Sequence, residues 1–152
     1  MYYFDHSATT PVHPEVSELM DSIQSTIFGN PSSIYSSGQK AKSVVEGARR
    51  QIADSISAEP EQIIFTSGGT ESNNQVLWCM LQNQKKHVIS NDIEHPAIIK
   101  VLEFLKPFGL DYTLINVDSD GIISIDNVKK AINPQTSLIS LMLANNEIGS
   151  IQ

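Results

Sequence analysis

A chain of 152 residues with 40% apolar content has the length and composition of one ordinary folded domain with a sizeable core. Seventeen acidic against ten basic residues leave a net charge of -7, which argues against a surface built to neutralise nucleic-acid phosphates or to lie on an anionic leaflet, and favours small ligands. No apolar run approaches the roughly 18 residues of a membrane span, the N-terminal MYYFDHSATT lacks a targeting pattern, and the single Cys79 allows neither an intrachain disulfide nor a cysteine zinc cluster, so a soluble, cytoplasmic protein is expected.

After a loop over residues 5–13, Pro14 at a first-turn position opens a helix whose apolar residues Val16, Leu19, Met20, Ile23 and Ile27 recur at helical spacing. GNPSSIYSSG (29–38) is loop by composition. Ala41, Val44, Val45, Ala48, Ile52 and Ile56 then predict a second amphipathic helix, stopped by Glu59 and Pro60. From there the rhythm changes. IIFT (63–66), HVIS (87–90), DYTLINV (111–117) and SLISLML (137–143) read as strands, separated by helix-length segments at 70–83, 94–106 and 126–132. Alternating strand and helix with continuous apolar strands predicts an α/β fold, a mostly parallel sheet flanked by helices, with no linker marking a second domain.

Ligands of such sheets gather where strands end and helices begin, and SGGTESNN (67–74) lies at such a junction. Gly68 and Gly69 let the backbone approach a ligand, the free amides of the helix start favour an anion such as phosphate, and the Thr70 hydroxyl adds a donor; a plain strand-to-helix turn with a hydroxyl cap satisfies the same residues. Glu71 would repel a phosphate and is expected to turn away from it. His95, before Pro96 at the next strand-to-helix junction, is either an exposed cap or a group that stacks on a flat ring and moves protons near neutral pH. Asn145 and Asn146, after the last strand, offer amide donors and acceptors to a ligand oxygen, or simply make a turn. DSDG (118–121) is read as a turn, since the later positions of a calcium loop lack their ligands. Cys79, within VLWCML, is expected to be a buried structural thiol.

The ordered set DHSATTP (5–11), FGNPSS (28–33), IIFTSGGTESNN (63–74), EHPAI (94–98), DGII (120–123) and LANNEIG (143–149) resembles the cysteine desulfurases of the iron-sulfur-cluster and nitrogen-fixation type, within the class V aminotransferase group. The resemblance covers essentially the whole chain and implies the N-terminal part of a fold-type-I large domain that binds pyridoxal 5'-phosphate. Residue by residue, it implies that Gly69 and Thr70 hold the cofactor phosphate, that His95 stacks on the pyridine ring and assists proton transfer, and that Asn146 bonds the ring oxygen near the substrate carboxylate. With one cysteine and no calcium-loop ligands after DSDG, no metal site is expected. The family converts L-cysteine to L-alanine and an enzyme-bound persulfide, as a homodimer that delivers sulfur to an iron-sulfur scaffold or another acceptor protein.

Two departures stand out. Tyr35 occupies a position where many family members carry a histidine, and a phenol is no base at neutral pH. The resemblance also implies a Schiff-base lysine, an aspartate on the pyridine nitrogen and a persulfide cysteine, with a C-terminal small domain, all expected to lie outside residues 1–152. The eight lysines fall on predicted helices or just before a strand, so the chain by itself is expected not to desulfurate cysteine. An apolar SLISLML strand at the sheet edge is expected to need a neighbour, from a second copy, a complementing chain or the rest of a longer natural protein. A non-catalytic split-protein subunit and a related class V aminotransferase or lyase are the alternative readings.

Overall fold

In the computed structural model, which describes residues 2–152, the chain divides after Phe65, at the threshold of the glycine turn. No linker composition marks that division.

The first unit holds two helices. α1 (Pro14–Thr26) starts at its proline as expected, but its apolar Val16, Leu19 and Met20 face solvent and none of its residues is buried. α2 (Ser36–Ser55) begins earlier than its apolar stripe suggests, because the GNPSS loop packs on its first turn. A Cβ on Gly38 would come within 2.6 Å of the Asn30 carbonyl oxygen, so only glycine permits this approach. Asn30 closes the loop by accepting the Ser32 amide on its side chain at 2.9 Å and the Ser33 amide on its carbonyl at 3.0 Å. The helix ends in two back-bonds, Ala58 amide to Ala53 carbonyl and Ser57 amide to Asp54 carbonyl, which place Ser57 at φ 55°. The stop is therefore a left-handed turn at Ser57, ahead of Glu59 and Pro60.

The predicted strand at 63–66 is absent: Ile63 is extended, but none of these residues pairs in a sheet. A strand needs ladder partners, and here the backbone groups go elsewhere. The Ile63 amide turns back to the Pro60 carbonyl at 3.1 Å, while the Ile63 carbonyl accepts the Arg49 guanidinium, whose charge also sits 4.9 Å from the Phe65 ring centre.

The second unit is the α/β layer. α3 (Gly69–Cys79), β1 (His87–Asn91), α4 (Pro96–Leu105), β2 (Asp111–Ile115), α5 (Ile125–Ala131) and β3 (Thr136–Ile139) follow in order, with short 3-10 turns extending α3 and α4. The strands form a parallel sheet in the order β2-β1-β3, His87 of β1 lying beside Asp111 of β2 and Thr136 of β3. β1 is central and buried along its whole length, the reason its sequence runs on without polar alternation. Leu77 of α3 and Ile98, Leu102 and Leu105 of α4 pack on Val88 and Leu110 to form the core, the α4 residues at the i, i+4, i+7 spacing of one helix face. Gly109 ends the α4 turn at φ 96°, a conformation that favours glycine.

Buried polar groups on β1 are all bonded. His87 bridges the three strands, with Nδ1 at 2.8 Å from Thr136 Oγ1 and Nε2 at 2.9 Å from Thr113 Oγ1, while the Ser90 hydroxyl donates to the Ser140 carbonyl at 2.9 Å.

Two further expectations are corrected. Cys79 is exposed: Leu77 takes the inward position on α3, with Met80 and Leu81 continuing its face three and four residues on, and this turns Cys79 outward. The runs 111–117 and 137–143 pair as strands only over 111–115 and 136–139. Beyond Ile115 the chain enters the 118–121 turn, where the Asp118 carboxylate accepts the amides of Asp120 and Ile122, both at 2.9 Å. Beyond Ile139 it leaves the ladder because Glu94 captures the Met142 amide. β2 and β3 are edges of this sheet, and Ile139 and Leu143 are exposed, as the sequence leads one to expect of the SLISLML run.

Candidate functional site

β1 and β3 run parallel and end at the same edge, so the segments that follow them emerge side by side. Residues 93–96 from the first and 145–148 from the second enclose a cavity of about 320 Å³, the size of a small-molecule site. His95 and Asn146 both line it. Two residues named by their place in the sequence, 51 positions apart, are thus brought to one cavity by strand pairing.

His95 caps α4: its Nδ1 accepts the Ala97 amide at 3.0 Å. An amide can only donate, so Nδ1 is the acceptor in this cap and Nε2 is left as the ring's donor; the ring itself is exposed. The cap and ligand readings of His95 are therefore compatible.

The asparagine pair divides its work. Asn145 is buried. Its Nδ2 donates to the Ile93 carbonyl at 3.0 Å, and its Oδ1 accepts the amides of Glu147 at 2.8 Å and Ile148 at 3.0 Å. Asn146 is exposed at the cavity wall. Holding Asn145 in the protein presents Asn146 to whatever occupies the cavity.

Glu94 is the residue that sequence reasoning passed over. Its Oε1 accepts the Met142 amide at 2.5 Å and Asn91 Nδ2 at 3.2 Å. Partial burial pushes its carboxyl above the ordinary glutamate value, opposed by the amides of Met142 and His95, the Asn91 side chain and the nearby His95 ring. The available signal was a carboxylate standing between a strand end and a helix-capping histidine.

Gly69 and Thr70 sit in the first turn of α3, exposed, with no side chain capping the helix. A Cβ on either Gly68 or Gly69 would meet nothing within 4 Å, so the approach to these amides is open. The Glu71 carboxylate is directed to Ser67, accepting its hydroxyl at 2.6 Å and its amide at 2.7 Å. The Ser67 hydroxyl foremost, then the Ser67 amide, hold its carboxyl below the ordinary value. Gly69 and Thr70 do not line the His95–Asn146 cavity. The link from α3 is Asn73, one turn on, which shares a second cavity of about 180 Å³ with Glu94 and His95. Tyr35 belongs to the first unit, exposed at the N-terminal boundary of α2. Among the described residues no helix is long and apolar enough to cross a membrane, and no cluster of three or more metal-ligating side chains is present.

Comparison with known proteins accords with this geometry. The aminotransferase class-V family model matches residues 2–152. The chain is 44% identical to the cysteine desulfurase IscS of Dictyoglomus turgidum, over 99% of this chain and 39% of that protein. A solved NifS-like protein superposes with a TM-score of 0.94 at 35% identity, over 99% of this chain and 42% of its own. The structure of SspA in complex with cysteine does so with a TM-score of 0.91 at 38% identity, over 100% of this chain and 45% of its own. The chain thus spans less than half the length of these relatives. With the parallel sheet, the junction motifs in order and the match along residues 2–152, the chain belongs to the class V aminotransferase family.

Proposed function

We propose that this chain supplies one part of the cofactor wall of a pyridoxal-phosphate-dependent cysteine desulfurase. The observation that carries the reading is the meeting of His95 and Asn146 in one cavity at the ends of adjacent parallel strands. The family, the cysteine desulfurase relatives and the cysteine held by one structural neighbour support the reaction class and L-cysteine as substrate.

The residues fit the cofactor. Exposed first-turn amides at Gly69 and Thr70, with the neighbouring carboxylate engaged by Ser67, suit a phosphate group. The exposed His95 ring offers a flat face for stacking and a donor at Nε2. The exposed Asn146 amide offers a donor to a ring oxygen or a substrate carboxylate. When bound, pyridoxal phosphate supplies the electron sink that loosens bonds at the substrate α-carbon. His95 then holds or moves a proton at Nε2, and Asn146 orients the polar edge of the ligand.

None of the residues lining this cavity is a lysine. The covalent anchor of the cofactor, the persulfide cysteine, and the homodimer or complementing chain with its iron-sulfur scaffold or sulfur acceptor all belong to the same proposal as contributions from beyond these residues. Equilibrium dialysis of the intact protein against pyridoxal phosphate tests it: His95→Ala and Asn146→Ala are each expected to weaken binding about tenfold, near 1.4 kcal/mol. Unchanged affinity in both variants overturns the assignment.

A further inference from the structure

We infer that Glu94 is a positioning residue for this cavity: by accepting the Met142 amide, it fixes the distance between the segment carrying His95 and the segment carrying Asn146. The role in ligand binding rests on the function proposed above; the tie between the two segments stands on geometry alone.

The two segments are joined by a reciprocal pair of bonds. Glu94 Oε1, after β1, accepts the amide of Met142, after β3, at 2.5 Å. In the other direction Asn145 Nδ2, after β3, donates to the carbonyl of Ile93, after β1, at 3.0 Å. The β1–β3 ladder has already ended: its last bond is the Ser140 amide to the Ile89 carbonyl at 2.8 Å. Beyond that point the backbones have diverged from strand pairing, and these side chains carry the connection in place of the ladder. Glu94 is itself held from below by Asn91, whose Oδ1 accepts the Ile93 amide at 3.0 Å while its Nδ2 reaches Glu94 Oε1 at 3.2 Å. Asn91 is fully buried at the end of the central strand, so the support is anchored in the core.

The chemistry required of residue 94 is therefore an acceptor oxygen at the end of a two-methylene stem. A glutamine retains it, an alanine deletes it, and an aspartate falls one methylene short. A charge requirement would make the opposite prediction for glutamine. Asn145→Ala would cut the second tie, but it also unravels the turn around Asn146, so Glu94 is the cleaner probe.

The test is amide hydrogen exchange at Met142, Glu147 and Ile148 in the intact protein, read beside pyridoxal phosphate binding by dialysis. In Glu94→Ala, exchange at Met142 is expected to rise at least tenfold and cofactor affinity to fall at least threefold, with Glu94→Gln close to the parent in both. Should Glu94→Ala not fold, Glu94→Asp gives the same readout. Unchanged Met142 exchange in the shortened variants, or a glutamine variant as perturbed as alanine, overturns the positioning role. If the parent protein binds no pyridoxal phosphate while Met142 exchange still responds as stated, the functional reading fails and the Glu94 tie stands.

Discussion

Asn145 Nδ2 donates to the Ile93 carbonyl at 3.0 Å, and this bond turns two adjacent, chemically identical side chains into residues with different roles. Asn145 is 8% exposed and knits the loop, whereas Asn146 lies open at the cavity wall. Asn145→Ala leaves the Ile93 carbonyl and the amides of Glu147 and Ile148 without their partner and is expected to cost about 2 kcal/mol of stability. Asn146→Ala is expected to leave stability within about 0.5 kcal/mol of the parent while weakening cofactor binding. Urea denaturation and dialysis on both variants check the split; equal stability losses would refute it.

His87 makes a second case in which one buried residue joins distant parts of the chain. Asn133 Nδ2 lies 3.2 Å from Nδ1 and can only donate, so Nδ1 is an acceptor and Nε2 donates to Thr113. Replacing His87 by leucine fills the space but strips the Thr113 hydroxyl of its partner and leaves the Thr136 hydroxyl only the Asn133 amide. A loss of about 2 kcal/mol is expected in urea unfolding. If Thr113→Val is added, the deficit should shrink, because one stranded hydroxyl is then removed.

The two perturbed carboxyls predict opposite pH slopes. Glu94 is shifted up by burial, so its contribution to stability is fully present below the ordinary value of 4.5 and is lost as pH rises through the higher folded value. The groups around it are the His95 ring, which favours its charge, and Glu147 on the same cavity wall. Glu71 is shifted down, first by the Ser67 hydroxyl, so its contribution is present above 4.5 and is lost as pH falls through the lower folded value. Relative to the parent, Glu94→Gln should gain in Tm as pH rises from 4.5 towards neutrality. Glu71→Gln should fall behind the parent as pH rises towards 4.5, keep that deficit above it, and converge with the parent as pH falls further. Parallel Tm-against-pH profiles for variants and parent would contradict both assignments.

Ser57 occupies a left-handed turn at φ 55°, closing α2 through the Ala58-to-Ala53 back-bond. A side chain in that conformation is strained where glycine is not. Ser57→Gly is expected to raise stability by about 0.5–1 kcal/mol, and Ser57→Val to lower it by more than that, measured by thermal unfolding.

Much of this molecule is legible without coordinates. The helix-length segment 94–106 announces α4, and HVIS, without the alternation of a half-exposed strand, announces a strand covered on both sides. Periodicity also places α1, and the helix-length segments between the strands locate α3 and α5, though α3 stops at Cys79, four residues short of the 70–83 segment. Composition fails for IIFT, which looks like a strand although its Ile63 bonds to Pro60 and Arg49, and for Cys79, whose apolar neighbours hide the fact that Leu77 takes the inward place. Composition reports what a segment would bury, whereas a strand exists only when another segment lies beside it.

Local order alone determined the junction motifs, with His95 before a helix-starting proline and Asn146 after the last apolar run, because turn and cap chemistry act within a few residues. Only the tertiary structure decided that these two share a cavity while Gly69 and Thr70 line neither it nor the smaller one beside it. Only it decided that Asn145 and Glu94 hold the cavity together. The reason is the parallel register of β1 and β3, which sets residues some fifty positions apart within hydrogen-bonding distance, a relation that no local pattern encodes.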